Sequence, residues 1–247
     1  MNVKIKAIIL QKIPWRDSSF IITMMTDNLG IIKTIAQGAR RSKSPYFTFY
    51  EPGNILEIVV WKKETTNLPR ILEASLIKNV FLFGKDHITY NQLLSLQIAL
   101  EMYYQLYISE EESHLLYTLL QTFIEYLPSI KNNHLLVNWR LLIKLSEFLG
   151  FPILLRKGTR YVLSDTSIMK NVYDDYSINI ISKWIDVLYS GINFTNSDNI
   201  IDKSAFIINR YIYDWFKTHL QKPIHHKAVE LYEDYIVNNF HKKLLTI

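Results

Sequence analysis

Between Val3 and Ile77 the apolar residues fall into five short runs rich in Ile and Val, each bounded by turn-forming residues. Val3, Ile5, Ala7 and Ile9 alternate with Lys4 and Lys6; Phe20 to Thr26, Gly30 to Gln37, Ile55 to Trp61 and Ile71 to Ile77 complete the set. Asp27-Asn28-Leu29-Gly30 joins the second run to the third, and Asp, Asn and Gly at those places predict a hairpin. Five short strands in about 75 residues cannot cover two faces as an open sheet. Curling into a small barrel encloses a core and removes the exposed edges. The expected architecture is α+β: a five-stranded OB-type barrel over residues 1–80, then an all-helical domain over residues 81–247.

From Asp86 onward the apolar period lengthens to that of helices. Leu93, Leu96, Ile98 and Leu100 run on to Met102, Tyr103 and Leu106, apolar around much of the circumference, which predicts a buried helix. Ser109-Glu110-Glu111-Glu112 has the spacing of a capping box, and Pro128 closes the helix that follows. A third helix is expected over about 133–149, turning Leu135, Trp139, Leu142, Ile143 and Leu149 inward before Gly150 and Pro152 end it. Two final helices are read from Ile201, Ala205, Ile208, Ile212 and Trp215, and from Val229, Tyr232, Ile236 and Phe240.

Charge separates the two parts. Residues 1–80 hold 12 Lys and Arg against 6 Asp and Glu, while the remaining 16 and 17 fall in residues 81–247. The formal charge of +5 therefore belongs to the first third, which suggests a polyanionic partner there. The plain alternative is a basic, well-solvated surface. Within that third, Gln37-Gly38-Ala39-Arg40-Arg41-Ser42-Lys43-Ser44-Pro45-Tyr46-Phe47-Thr48-Phe49-Tyr50 is the most informative segment. With Lys33 it offers Arg40, Arg41 and Lys43, and no acid occurs between Asp27 and Glu51. Ser42 and Ser44 can bond phosphate oxygens, and Gly38 frees the backbone from strand geometry. The aromatics offer stacking surfaces, although core packing is the favoured reading for them. Lys62, Lys63 and Arg70 flank the turn between the fourth and fifth strands and Arg16 lies between the first and second, the two loops that rim the usual binding face of such a barrel.

Arg140 and Lys144 stand four apart on one helix. Like charges at that spacing repel, so they suit either an acidic partner or a tolerant wet face. Asp174 and Asp175, without a third ligand at fixed spacing, read as a helix cap. The chain has no cysteine, which removes disulfides, thiolate nucleophiles and every cysteine-bearing metal site. Its scattered histidines, including the adjacent His225 and His226, give no metal-binding spacing, so neither metal nor cofactor is expected. Phosphate-loop, dinucleotide-binding, zinc-protease and serine-hydrolase motifs are all missing from the sequence. A binding protein is expected rather than an enzyme. No apolar run approaches the roughly 18 residues of a membrane span, and the first residues do not fit a secretory signal, so a cytoplasmic location is expected.

These residues resemble the bacterial recombination mediator family RecO. Ala7-Ile8-Ile9-Leu10, then Thr26 and Gly30, then Ala36-Gln37-Gly38-Ala39-Arg40-Arg41-Ser42-Lys43-Ser44 are similar to that family's first strand, hairpin and Ala-x-Gly-Ala-Arg-x-x-x-Ser segment. A fainter similarity runs through Trp139 to Pro152 and Tyr211 to Lys227. The resemblance implies an OB domain on a helical domain, binding of single- and double-stranded DNA, strand annealing, and partnership with RecR and the single-strand binding protein SSB. With RecR, members help RecA replace SSB. Arg40, Arg41 and Lys43 match the basic DNA-contacting segment, and Arg140 and Lys144 fall on the helix used near the acidic SSB tail. The chain departs from the family in two places. Many members bind zinc through four cysteines after the Gly-x-Pro helix end, where this chain has Phe151-Pro152-Ile153-Leu154-Leu155-Arg156-Lys157, so that loop must be held by packing. A Lys-Ser-Arg-like stretch near the C-terminus reads His225-His226-Lys227. The competing reading is a protein-interaction adaptor whose helical domain captures an acidic peptide, with incidental DNA contact.

Overall fold

The computed structural model describes residues 2–61, 68–83, 86–130, 134–153 and 203–220, with the single positions 180, 227 and 231. Five strands close into a barrel in the order β1-β2-β3-β5-β4: β1 Asn2–Trp15, β2 Ser19–Thr26, β3 Ile31–Ala36, β4 Ile55–Trp61 and β5 Arg70–Lys78. All pairings are antiparallel except β3 with β5, which meet in parallel through Ile35 opposite Arg70. Alternation decides what points inward. Ile5, Ala7 and Ile9 of β1, Phe20, Ile22 and Met24 of β2, and Leu56, Ile58 and Val60 of β4 fill the interior. The fold is the α+β barrel-then-helices arrangement expected from the pattern of runs.

The first strand is longer than the alternation of Val3 to Ile9 predicts. After Ile9 its register with β2 shifts at a bulge, and pairing continues from Gln11 opposite Thr23 to Trp15 opposite Ser19. β4 pairs with β1 only as far as Ile8. Pro14 therefore sits where β1 has one neighbour, and its missing N–H costs no bond on the other side. The hairpin at 27–30 forms as expected. Gly30 takes φ +67°, and the Thr26 amide donates to the Gly30 carbonyl at 2.9 Å.

Two short strands, β6 Leu82–Phe83 and β7 Asp86–His87, form a small hairpin before the helices. α1 spans Tyr90–Tyr104 and α2 Glu110–Tyr126, with a tight 3-10 turn at Leu127–Ser129. The Glu112 carboxylate caps α2, accepting from the Ser109 hydroxyl at 3.0 Å and its amide at 3.5 Å. A second capping box begins α1: the Gln92 amide donates to Thr89 Oγ1, while the Thr89 amide donates to Gln92 Oε1. As its composition predicts, α1 buries Leu96, Ile98, Leu100, Met102 and Tyr103.

Compactness divides the chain into Met1–Ser129 and Ile130–Ile247. The change from strand to helix, on which the expected 80/81 division rests, comes earlier. α1 and the segment leading into α2 are fitted closely to the barrel: a Cβ on Gly30 would collide with the Ile108 carbonyl oxygen, and one on Gly53 would stand 2.9 Å from Leu96. In the second unit, α3 spans His134–Phe148 and α4 Lys203–Leu220. Buried Trp139 donates its indole N–H to Asn209 Oδ1 at 3.2 Å, joining α3 to α4. Leu135, Leu142, Ile143, Ile208 and Ile212 are buried, as their spacing predicts. Among the described residues no helix is long and apolar enough to cross a membrane. The expected final helix from Val229 to Phe240, the Asp174-Asp175 pair, and His225 and His226 lie outside the described residues.

Candidate nucleic-acid interface

The segment after β3 is a run of tight turns clamped to the β1–β2 turn. Gly38 takes φ +72°, which breaks strand geometry and turns the chain. The Arg41 amide then donates to the Gly38 carbonyl and the Ser44 amide to the Arg41 carbonyl. Across the gap, the Arg40 amide donates to the Ser18 carbonyl at 2.9 Å and the Gly38 amide to Ser19 Oγ at 3.4 Å. The Arg40 guanidinium donates to the Arg16 carbonyl at 3.3 Å. Arg16 itself has φ +51°, a left-handed conformation that costs a non-glycine residue about 1–2 kcal/mol. The bonds across to Gly38 and Arg40 fasten the turn in which that conformation sits.

Arg16 and Arg40 are thereby brought together although 24 residues separate them, and Arg41 and Lys43 follow on the same exposed loop. All four side chains are exposed, and among the described residues none forms an ion pair. The Arg16 guanidinium lies 5.9 Å from the ring centre of Trp15, which is 41% exposed. Glu51, the first acid after the loop, is engaged elsewhere: Lys12 holds it in a half-buried ion pair beside the rings of Phe20 and Phe47. Among the described residues no carboxylate is paired with these exposed cations, the condition under which attraction to phosphate is least offset.

The remaining predicted residues have separate places. Lys33 leans toward α1, its ammonium 6.0 Å from the ring centre of Tyr104. Arg70 opens β5 and is exposed beside Trp61. Lys62 and Lys63 lie outside the described residues. Arg140 is exposed on α3, whereas Lys144 pairs with Glu147 of the same helix at 2.7 Å.

The aromatic run, for which the sequence predicts core packing, divides in two. Tyr50 is buried and Phe49 packs against the barrel core. Burial, with a smaller contribution from Tyr46, pushes the Tyr50 hydroxyl pKa well above its ordinary value. Tyr46 and Phe47 are exposed, Phe47 covering Phe20 at 6.2 Å between ring centres. Asn54 explains the split. Fully buried, it donates to the carbonyls of Thr48 and Phe49 and accepts from the Val80 amide, so the end of the run is tied inward and its start is not.

A second feature was not read from the sequence. Asn2, Trp61 and Arg70 are successive cross-strand partners on β1, β4 and β5. Together with Gln37, Ile71 and Leu72 they line a groove of about 440 Å³. Only the register between strands distant in sequence assembles it.

No group of three or more His, Cys, Asp or Glu able to hold a metal occurs among the described residues. The four-cysteine zinc site that the family resemblance implies cannot form here, because the chain has no cysteine. Beyond α3, Phe151 packs edge-on to Phe216 and stacks on His219 at 5.0 Å, while the Trp215 indole donates to the Phe151 carbonyl at 2.9 Å. Packing holds that helix end.

Residues 1–80 match the family model described as Recombination protein O N terminal. The DNA repair protein RecO of Prosthecochloris aestuarii is 30% identical over 151 residues, covering 61% of this chain and 56% of the relative. The RecO of Chlorobaculum parvum is 29% identical over 157 residues, 64% of this chain and 59% of the relative. The match thus spans less than two thirds of the length of either. That of Flavobacterium johnsoniae is 24% identical over 234 residues, 89% and 93% of the two chains.

Proposed function

We propose that this chain is a RecO family protein that acts in DNA repair and recombination as a DNA-binding mediator. It binds single- and double-stranded DNA through the basic loop of its barrel, anneals complementary strands, and with RecR helps RecA replace SSB. The observation that carries this reading is the set Arg16, Arg40, Arg41 and Lys43, exposed and, among the described residues, outside every ion pair. Guanidinium groups on a loop whose backbone is fastened at both ends suit a sugar–phosphate backbone, because little loop freedom remains to be lost on binding. The activity is binding and exchange of partners, not bond cleavage. Replacing Arg40→Glu with Arg41→Glu is expected to weaken DNA binding strongly with the circular dichroism spectrum unchanged. Undiminished affinity in that folded variant would defeat the assignment.

For the helical part, exposed Arg140 supports capture of the acidic SSB tail. This also favours the adaptor reading, in which the tail is the principal ligand. Titration with a tail peptide separates the two: an adaptor loses peptide capture in Arg140→Ala and binds DNA no better than other proteins of equal charge, whereas a mediator retains specific DNA binding in that variant.

A further inference from the structure

We propose that the groove beside the barrel seam takes one unstacked base of a single strand, with Trp61 as its stacking face and Gln37 and Asn2 at its rim. The inference rests on the reading of the barrel as a DNA-binding module. It adds a point at which bases, rather than phosphates, are engaged.

The groove lies where β3 and β5 make their sole registered pair, Ile35 with Arg70, reinforced by the Ile35 amide donating to the Pro69 carbonyl at 2.9 Å. Elsewhere the barrel is closed by ladders of several pairs. On β4, Leu56, Ile58 and Val60 point into the core, so Trp61 stands on the outer face, and Asn2 and Arg70 flank it across the ladders. Leu72 is 51% exposed, an apolar surface that a ligand would cover. At about 440 Å³ the space falls within the roughly 300–1,000 Å³ of small-ligand clefts.

Each lining group has a matching partner in one nucleotide. An indole offers a broad π-face, on which any base can stack. The Asn2 and Gln37 side-chain amides carry donors and acceptors for a base edge, and the Arg70 guanidinium suits the adjoining phosphate. The groove also adjoins the basic loop. Gln37 lines it, Gly38 is next in the chain, and the Arg41 guanidinium lies beside Gly38, within about 4 Å of where a Cβ would stand. A strand held by Arg40 and Arg41 can thus pass one nucleotide into the groove. A duplex keeps its bases stacked and paired and has none to place there, so the groove favours single strands.

The test compares a mixed-sequence single strand of about 12 nucleotides, within the site sizes typical of such barrels, with an abasic strand of equal length and charge. The native protein is expected to bind the base-bearing strand about tenfold more tightly, the scale of one stacked base. Trp61→Ala should abolish that preference and leave abasic-strand affinity unchanged, Trp61→Phe should keep most of it, and Gln37→Ala should reduce it about threefold, the scale of one lost hydrogen bond. Equal binding of the two strands by the native protein would overturn the groove and leave the basic loop standing, as would a Trp61→Ala variant that keeps the preference. If Trp61→Ala failed to fold, the native comparison and Gln37→Ala would still decide. Binding of neither strand would overturn both readings.

Discussion

Two groups of cations, on the loop after β3 and on α3, look alike in sequence and differ in the folded chain. Arg40, Arg41 and Lys43 are exposed and none is in an ion pair among the described residues, and Arg40 is fastened to the neighbouring turn. On α3, Arg140 is exposed while Lys144 is held by Glu147 one turn on. A count of charges treats these as equal. What differs is how much attraction a carboxylate already takes up, and how much freedom binding must still remove.

The largest expected effect separates the two groups directly. Reversing both loop arginines, Arg40→Glu and Arg41→Glu, should lower single-strand affinity about a hundredfold at moderate salt, since each reversal removes a phosphate contact and adds repulsion. Reversing Arg140 and Lys144 should lower it less than about threefold. Similar losses, measured by fluorescence anisotropy, would erase the distinction.

Alkali sharpens the comparison, because both regions carry tyrosines whose pKa burial raises: Tyr50 in the barrel, Tyr103 and Tyr117 beneath it, and Tyr211 on α4. Each stays protonated in the fold at a pH where the unfolded chain, near the ordinary value of about 10, has lost the proton. The folded pKa is the higher, so the stability these groups contribute is complete below about pH 10 and declines as pH rises toward the folded values. Absorbance near the phenolate band should show a set of tyrosines ionising only as circular dichroism reports unfolding. Smooth ionisation of all 16 tyrosines before unfolding would contradict the burial described.

Next in size, Gly38→Ala meets nothing closer than Arg41 at 3.8 Å, so its cost is conformational, about 1–2 kcal/mol at φ +72°. Urea denaturation should show that loss, and DNA affinity should fall several-fold as the loop shifts. Smallest is Lys144→Ala. A half-exposed pair of this spacing on one helix contributes about 0.5 kcal/mol, so stability should change little, in contrast to Gly38→Ala.

Local chemistry made much of this readable from sequence. Alternation located the strands, Asp27 to Gly30 the hairpin, and Ser109 with Glu112 the start of α2, because each depends on residues a few positions apart. The extension of β1 through Lys12 and Pro14 was hidden because those residues break the strand pattern, and the strand continues only because β2 still pairs there. Lys144 with Glu147, three apart on one helix, lay within reach of the same local reasoning and was not read. Lys12 with Glu51, 39 residues apart, lay beyond it, and that pair helps leave the arginines unopposed. The groove around Trp61 depends on the register of β1, β4 and β5 and was invisible for the same reason. Exposure of Tyr46 and Phe47 turned on Asn54, whose buried amide ties down only the end of the aromatic run.

If the exposed loop cations hold phosphates, they must displace counterions from a nucleic-acid strand. Single-strand affinity measured against salt should give a log–log slope of about −3 for four neutralised phosphates, and Arg40→Ala with Arg41→Ala should make it shallower by about 1.4. A slope unchanged in the double variant would mean that those arginines hold no phosphate, and would contradict the central claim.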